Sequence, residues 1–485
     1  MSRFGVKAIL DYSVESDISQ EEAEEKAIQG KVSDDQIPEA ITALSGQLDP
    51  KSVETTHKQF NVHAKFGDRR LGVVSARTYF YSSEHECDKN ADVFRNCIDA
   101  VATTTDGRGF TAVKITALGR PQLLLKLSET IAHARNFFKT LTGSTWENLV
   151  LSKISREDLL RRLKDFGIKA DSKLIEEWFK MIDFDADGFV DVHDWGNILE
   201  HSRDFASMFQ IINVKTGKLE PLIPKLSSQE NQEFSNMMQR LIDVAEHARS
   251  RGVRIMIDAE QTYFQPAISR LAVALMRKYN QDGGFILNTY QAYLKSALND
   301  IETDMHLAKR ENFHFGCKLV RGAYMDQERR RAKEVGYDDP INPTYEATND
   351  MYHRCLTRIA DEHDARGLGK VSVMVASHNE ETVRYAVNLM KEREIAPSQR
   401  VICFAQLYGM CDQVSFSLGQ AGYSIYKYLP YGPVEEVLPY LSRRALENGG
   451  MLKKVQKERS LLWTELKRRL ASGQMVYTVP EKNDI

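Results

Sequence analysis

From about residue 76 the chain repeats one pattern. A short run of β-branched or aromatic residues gives way to a polar turn and then to a stretch with apolar positions at helical spacing. The runs are ARTYFYS (76–82), FTAVKITAL (110–118), VRIMIDAE (253–260), GFILNTYQ (284–291), FGCKLVRG (315–322), KVSVMVAS (370–377), RVICFAQL (400–407) and YSIYKYLP (423–430). Runs this apolar, with helices between them, predict parallel strands covered on both faces. Eight such units close most simply into an α/β fold of the (β/α)8 barrel type. The alternative is an open doubly wound sheet, but no run leads into a GxGxxG turn.

One spacing breaks the pattern. Residues 119–252 separate the second and third runs, where a single crossover helix suffices, and SSQENQEFSNMMQRLIDVAEHARSRG just before the third run already supplies that helix. Residues 121–226 are therefore read as a helical insertion in a βα connection, on the face of a barrel where active sites form. The plan that follows is an N-terminal arm over 1–75, helical and partly flexible, a barrel over 76–450, and a C-terminal helix and tail over 451–485. Within the arm, Ser16 to Glu54 is polar and acidic, a composition that resists folding on its own.

The insertion carries MIDFDADGFVDVHDW. Counted from Asp183, carboxylates stand at loop positions 1, 3, 5, 9 and 12 (Asp183, Asp185, Asp187, Asp191 and Asp194), Gly188 is sixth, and Phe189 offers its carbonyl at position 7. This is the EF-hand pattern, which gathers oxygens around a hard cation at a sharp glycine turn. Position 12 is Asp where Glu is usual. The shorter reach favours weak Ca2+ binding, or Mg2+. The bland alternative is a degenerate pair of hands, its partner loop at about 141–154 lacking ligands, kept as a helical module without metal.

Composition then excludes some classes. Apolar residues make up 42% and charged residues 27% of 485, an ordinary globular mixture, and a formal net charge of -3 gives no reason to expect nucleic acid as a partner. No apolar run is long enough to span a bilayer, so any membrane association is peripheral. The six cysteines form no CxxC pair, which suits reduced, buried thiols. The opening MSRFGVKAILDYSVESD has no apolar signal core and no basic, acid-poor leader; either the protein is not targeted or a leader has been removed.

Polar residues at the C-terminal ends of barrel strands line active sites. Here they are Lys114, Asp258 with Glu260, Gln291, Lys318 with Arg321, Ser377 with His378 and Asn379, and Tyr428. Each alone is more often a satisfied structural group, but a charge at nearly every strand end is costly without a use. After the eighth run, YGPVEEVLPYLSRRALEN reads as a helix whose Tyr440, Arg443, Arg444 and Glu447 share one face. On an isolated helix this is a solvated face with one ion pair. At a barrel mouth, two adjacent arginines make a fork suited to a carboxylate.

The segments IDAEQ (257–261), TYQAY around Gln291, KLVRGAY (318–324), ASHN (376–379) and YLSRRALEN (440–448) resemble the proline dehydrogenases, in order and at fitting spacing, over roughly 76–450 apart from the insertion. The likeness is to the animal mitochondrial branch. It implies a distorted (β/α)8 barrel that binds FAD without a covalent link and moves a hydride from C5 of L-proline to flavin N5. The electrons pass to ubiquinone, from a peripheral position on the matrix side of the inner mitochondrial membrane.

By the same resemblance Arg443 and Arg444 clamp the proline carboxylate and Glu447 holds the fork. Lys114 and Asp258 line the proline pocket and favour its neutral amine. Asp258, Gln291, Lys318, Arg321, Gly322, Ala323, Ser377, His378 and Asn379 hold the FAD, and Tyr324, Leu407, Tyr428 and Tyr440 wall in the ring. Lys318 stands where bacterial members carry arginine near flavin N5, which leaves the hydrogen-bond pattern there open. Tyr440 separates the chain from hydroxyproline-preferring relatives, which carry a smaller residue there. The rival of another class is a calcium-responsive binding protein on a barrel that has lost catalysis, and Lys114, Asp258 and the two arginines count against it.

Overall fold

Alternation along the strands sorts side chains onto two faces, and both faces are buried. The computed structural model describes residues 1–12, 59–60, 83–165 except 106 and 108, most of 176–201, 210–212, 219–221, 227–434, 437–438, 441 and 452–474. Its strands are β1 (Val6–Tyr12), β2 (Phe110–Val113), β3 (Lys153–Ser155), β4 (Phe189–Asp191), β5 (Gln210–Ile212), β6 (Leu219–Pro221), β7 (Arg254–Ile257), β8 (Ile286–Gln291), β9 (Phe315–Val320), β10 (Val371–Ala376), β11 (Ile402–Leu407) and β12 (Ile425–Tyr431). Eight of them form a closed, all-parallel barrel in the order β1-β12-β11-β10-β9-β8-β7-β2. The barrel expected from the sequence is therefore present.

The closing strand differs from expectation. Patterning assigned the first strand to 76–82 and left Val6–Tyr12 in the arm, but β1 pairs in parallel with β12 (Ile9 opposite Tyr428) and with β2 (Asp11 opposite Ala112). Residues 76–82 lie outside the described residues. The two segments are equally short and β-prone, and strand propensity reflects partners more than intrinsic preference.

Inside the barrel, Ile9, Phe110, Met256, Leu287, Met374, Cys403, Ala405 and Tyr426 form one apolar plug contributed by seven strands. The Phe110 and Tyr426 rings meet edge to face at 5.1 Å. The outward positions, such as Ile255, Ile257, Phe315, Leu319, Val373 and Phe404, join a second cluster with the surrounding helices. The helices are α1 (Glu84–Thr105), α2 (Pro121–Thr142), α3 (Arg156–Asp165), α4 (Val192–His201), α5 (Ser228–Ser250), α6 (Gln265–Tyr279), α7 (Ala297–Arg310), α8 (Met325–Val335), α9 (Tyr345–Arg366), α10 (Glu380–Glu392), α11 (Asp412–Gln420) and α12 (Leu452–Ser472). The crossover helix α5 begins at a reciprocal cap: Ser227 Oγ accepts from Glu230 N, and the Glu230 carboxylate accepts from Ser227 N.

Within the insertion, β3 and β4 pair antiparallel with Ile154 opposite Val190. Trp195 packs on Phe137 and Phe138 and donates its indole N–H to Ala134 O at 2.9 Å. The Ser128 hydroxyl accepts from Ala267 N at 3.1 Å, which ties α2 to the barrel helix α6.

Gly316 on β9 marks how closely the strands approach. A Cβ there would lie 2.3 Å from Ile286 O, a backbone atom that cannot swing aside. Gly316→Ala should cost about 1–3 kcal/mol, read as a lower thermal midpoint. An unchanged midpoint would show that the strands part without strain.

Candidate active site

Two residues beyond the apolar plug, the inward positions turn polar. Ile9 is followed by Asp11, Met256 by Asp258, Tyr426 by Tyr428, and Gly316 by Lys318, while Lys114 lies just past the end of β2. The period of two thus lifts one polar layer onto the C-terminal rim of the barrel, above a dry floor.

Asp258 sits at the centre of that layer. One carboxylate oxygen accepts from Lys114 Nζ at 2.6 Å and from the Tyr428 hydroxyl at 3.0 Å, and the other accepts from Lys318 Nζ. Lys114 also lies 3.8 Å from the buried Asp11 carboxylate. The Lys318 ammonium stands over the Tyr428 ring, 5.6 Å from its centroid. Lys114, Asp258 and Lys318 are all buried. Burial alone would raise the Asp258 carboxyl, but the two ammonium groups outweigh it and hold the group well below the usual carboxylate range.

Around this centre the remaining strand-end residues fall into two groups. Gln291 donates to Glu260 O at 2.8 Å, and the fully buried Glu260 accepts from Thr116 Oγ1 at 2.8 Å. On the other side, Arg321 donates to Ser377 Oγ at 2.5 Å, to Asn349 Oδ1 at 2.7 Å and to Thr382 Oγ1 at 2.8 Å. His378 Nε2 accepts from Leu407 N at 2.9 Å, so it carries its proton on Nδ1 when neutral. Asn379 caps α10, its side chain accepting from Glu381 N and Thr382 N. Gly322 has φ +134° and an added Cβ would strike the Tyr293 ring at 2.4 Å, so only glycine fits between β9 and α8. Ala323 is exposed, and Tyr324 is buried at the start of α8. Tyr440, Arg443, Arg444 and Glu447 lie outside the described residues.

Sequence reasoning missed Asp11, because its strand was read as part of an arm. It also missed Asn349 and Thr382, which hold Arg321 from helices and carry no strand-end signal.

The acidic loop of the insertion divides in two. Asp183, Asp185 and Asp187 bring carboxylate oxygens within 4.8 Å of one another. Asp183 accepts from the backbone of Asp187 and Gly188, and Gly188 has φ +81°, the left-handed turn expected at the sixth position. Asp187 is ion-paired with Lys153. Asp191 and Asp194 turn the other way, onto the guanidinium of Arg310 at the end of α7, and His193 meets His306 at 3.1 Å. Phe189 donates its N–H to Asp187 at 2.8 Å.

A family model described as proline dehydrogenase matches residues 1–457. The chain belongs to that family. It is 60% identical to mitochondrial proline dehydrogenase 1 of Caenorhabditis elegans over 98% of this chain and 76% of that protein. It is 47% identical to the human protein of the same name over 98% of this chain and 77% of that one. Among solved structures, proline utilization A from Bdellovibrio bacteriovorus is similar at 17% identity and a TM-score of 0.48, over 76% of this chain and 28% of that chain. Family membership agrees with the resemblance carried by KLVRGAY, ASHN and YLSRRALEN, and with a barrel whose rim gathers lysine and carboxylate.

The position of Asp258 makes stability depend on pH in a definite sense. Its native pKa lies below the unfolded value of about 3.9, so the carboxylate stabilises the fold above that pH. The contribution fades as pH falls from there through the depressed native value. Asp258→Asn should therefore lower the thermal midpoint at pH 7, and the gap to the parent should narrow as pH falls below about 4. A gap that stays constant with pH would mean the charge of Asp258 is not what the lysines require.

Proposed function

We propose that this chain oxidises L-proline to Δ1-pyrroline-5-carboxylate by hydride transfer from proline C5 to bound FAD, with ubiquinone as the onward electron acceptor. The coarser statement rests on family membership: the chain is a proline oxidoreductase of the mitochondrion, acting at the first step of proline catabolism. The observation that carries the finer reading is the buried lysine–aspartate–lysine centre at the barrel rim.

The donor set there suits a flavin dinucleotide. Arg321 brings positive charge to the rim, suited to a diphosphate, while Lys318 stands where the resemblance puts the group near flavin N5, and the Gln291 amide and the Ser377 hydroxyl suit a ring edged with acceptors. Gly322, Ala323, His378 and Asn379 complete the set, with Asp258 fixing Lys318. When bound, FAD supplies the hydride acceptor, a role no protein side chain can take.

The protein's own residues do the rest. Lys114, anchored by Asp258, keeps positive charge in the pocket and so favours the neutral form of the substrate amine, which yields a hydride more readily than an ammonium. Arg443 and Arg444 clamp the carboxylate through a bidentate fork braced by Glu447. Tyr324, Leu407, Tyr428 and Tyr440 exclude water, and Tyr440 leaves no room for a ring hydroxyl. The chain works at the matrix side of the inner membrane, held there peripherally.

The insertion adds a second element. The loop from Asp183 to Asp194, with the Phe189 carbonyl, takes Ca2+ or Mg2+ weakly. The convergence of Asp183, Asp185 and Asp187 supports this, and the grip of Arg310 on Asp191 and Asp194 accounts for the weakness.

Anaerobic L-proline should bleach the flavin absorbance of the purified holoenzyme, and hydroxyproline should do so poorly; a spectrum untouched by proline would end the enzyme reading. Arg443→Met should raise the proline KM by an amount equivalent to about 2–5 kcal/mol of lost binding, whereas an unchanged KM would move the carboxylate elsewhere. In a calcium titration followed by calorimetry, Arg310→Gln should bind more tightly than the parent chain. Equal or weaker binding in the variant would remove Arg310 as the competitor.

A further inference from the structure

The helix α12 has an apolar face that nothing covers among the described residues. Leu462, Trp463, Leu466 and Leu470 recur at helical spacing and are 67%, 57%, 47% and 57% exposed. A cluster of this kind on a soluble protein marks a surface built for contact. The same helix is strongly basic. It carries seven Lys and Arg residues against two Glu, in a chain whose formal net charge is -3. On a helical wheel Lys467 and Arg469 flank the apolar stripe, the position from which long cationic side chains reach up to headgroups while their stems stay with the apolar face.

We propose that α12 lies flat on an anionic phospholipid surface, its leucine and tryptophan face sunk to the acyl boundary and its lysines and arginines among the headgroups. The proposal rests on the membrane reading above and gives it a specific surface. No described helix is long and apolar enough to cross a membrane, so α12 lies in the plane rather than through it. A tryptophan within the apolar stripe is the side chain favoured at that depth. A second copy of the chain is the poorer occupant, since face-to-face pairing of two α12 helices would bring two positive surpluses together. Anionic lipid neutralises that surplus instead.

Flotation of the full-length holoenzyme with phosphatidylcholine vesicles, with and without cardiolipin, tests this. The chain should float with the cardiolipin vesicles at least about tenfold more tightly than with the neutral ones, and high salt should weaken the binding. The double variant Leu462→Glu/Leu466→Glu should stay behind while proline still bleaches its flavin at the parent rate. Lys467→Glu/Arg469→Glu should lose the cardiolipin preference, and vesicles should shift the parent's tryptophan emission to the blue but not that of Trp463→Phe. If the parent and the leucine variant float equally, α12 is not the contact and the membrane reading survives without it. If the parent floats with neither vesicle, both readings fall. If the parent is a dimer that the leucine variant converts to monomer, with no flotation, the face belongs to a second copy and the proposal is overturned.

Discussion

A carboxylate stripped of water between two ammonium groups is the constraint on which the rim of this barrel depends. Asp258 has no stable place in a protein interior unless positive charge surrounds it, and neither Lys114 nor Lys318 could be buried without a negative neighbour. Each group makes the others tolerable. Because the three stand at the ends of β2, β7 and β9, and Tyr428 reaches in from β12, one electrostatic requirement fixes the relative heights of strands far apart in sequence. The apolar plug one layer below supplies the low dielectric that makes the pairing matter.

Much of this was legible in the chain because a parallel barrel writes its strands as nearly continuous apolar runs. RIMID, ILNTYQ and FGCKLVR each announce a strand, and the polar residue that ends each run announces the rim. What remained hidden had physical reasons. VKAILDY is no less strand-like than ARTYFYS, and only the edges left open by β12 and β2 decide between them. Asp11 was lost with its strand. Asn349 and Thr382 hold Arg321 from helical positions, where a short polar residue looks like any exposed turn of helix. The face of Tyr440, Arg443, Arg444 and Glu447 was read from spacing and family likeness.

The insertion shows a different limit. Counting carboxylates in a loop treats them as one set, yet the folded loop separates them by what lies opposite. Three face one another, and two face a guanidinium from the barrel. Arg310 belongs to a helix more than a hundred residues away, so no local pattern could have paired it with Asp191 and Asp194. Its fork makes this module part of the barrel wall rather than an appendage.

The pairing of β1 with β12 carries a consequence for how the molecule is born. Seven strands follow one another around the wall, but the ring closes on a segment from the opposite end of the sequence. Until β12 emerges, β1 has only one of its two neighbours to bind, and its free side offers unsatisfied amides to any passing strand. Nucleation on such distant contacts is slow, and growing chains with open edges are prone to misassembly. Closing the barrel therefore requires β1, the first of its eight strands to be made, to meet the last one, β12, so the ring stays open for as long as synthesis takes to reach it.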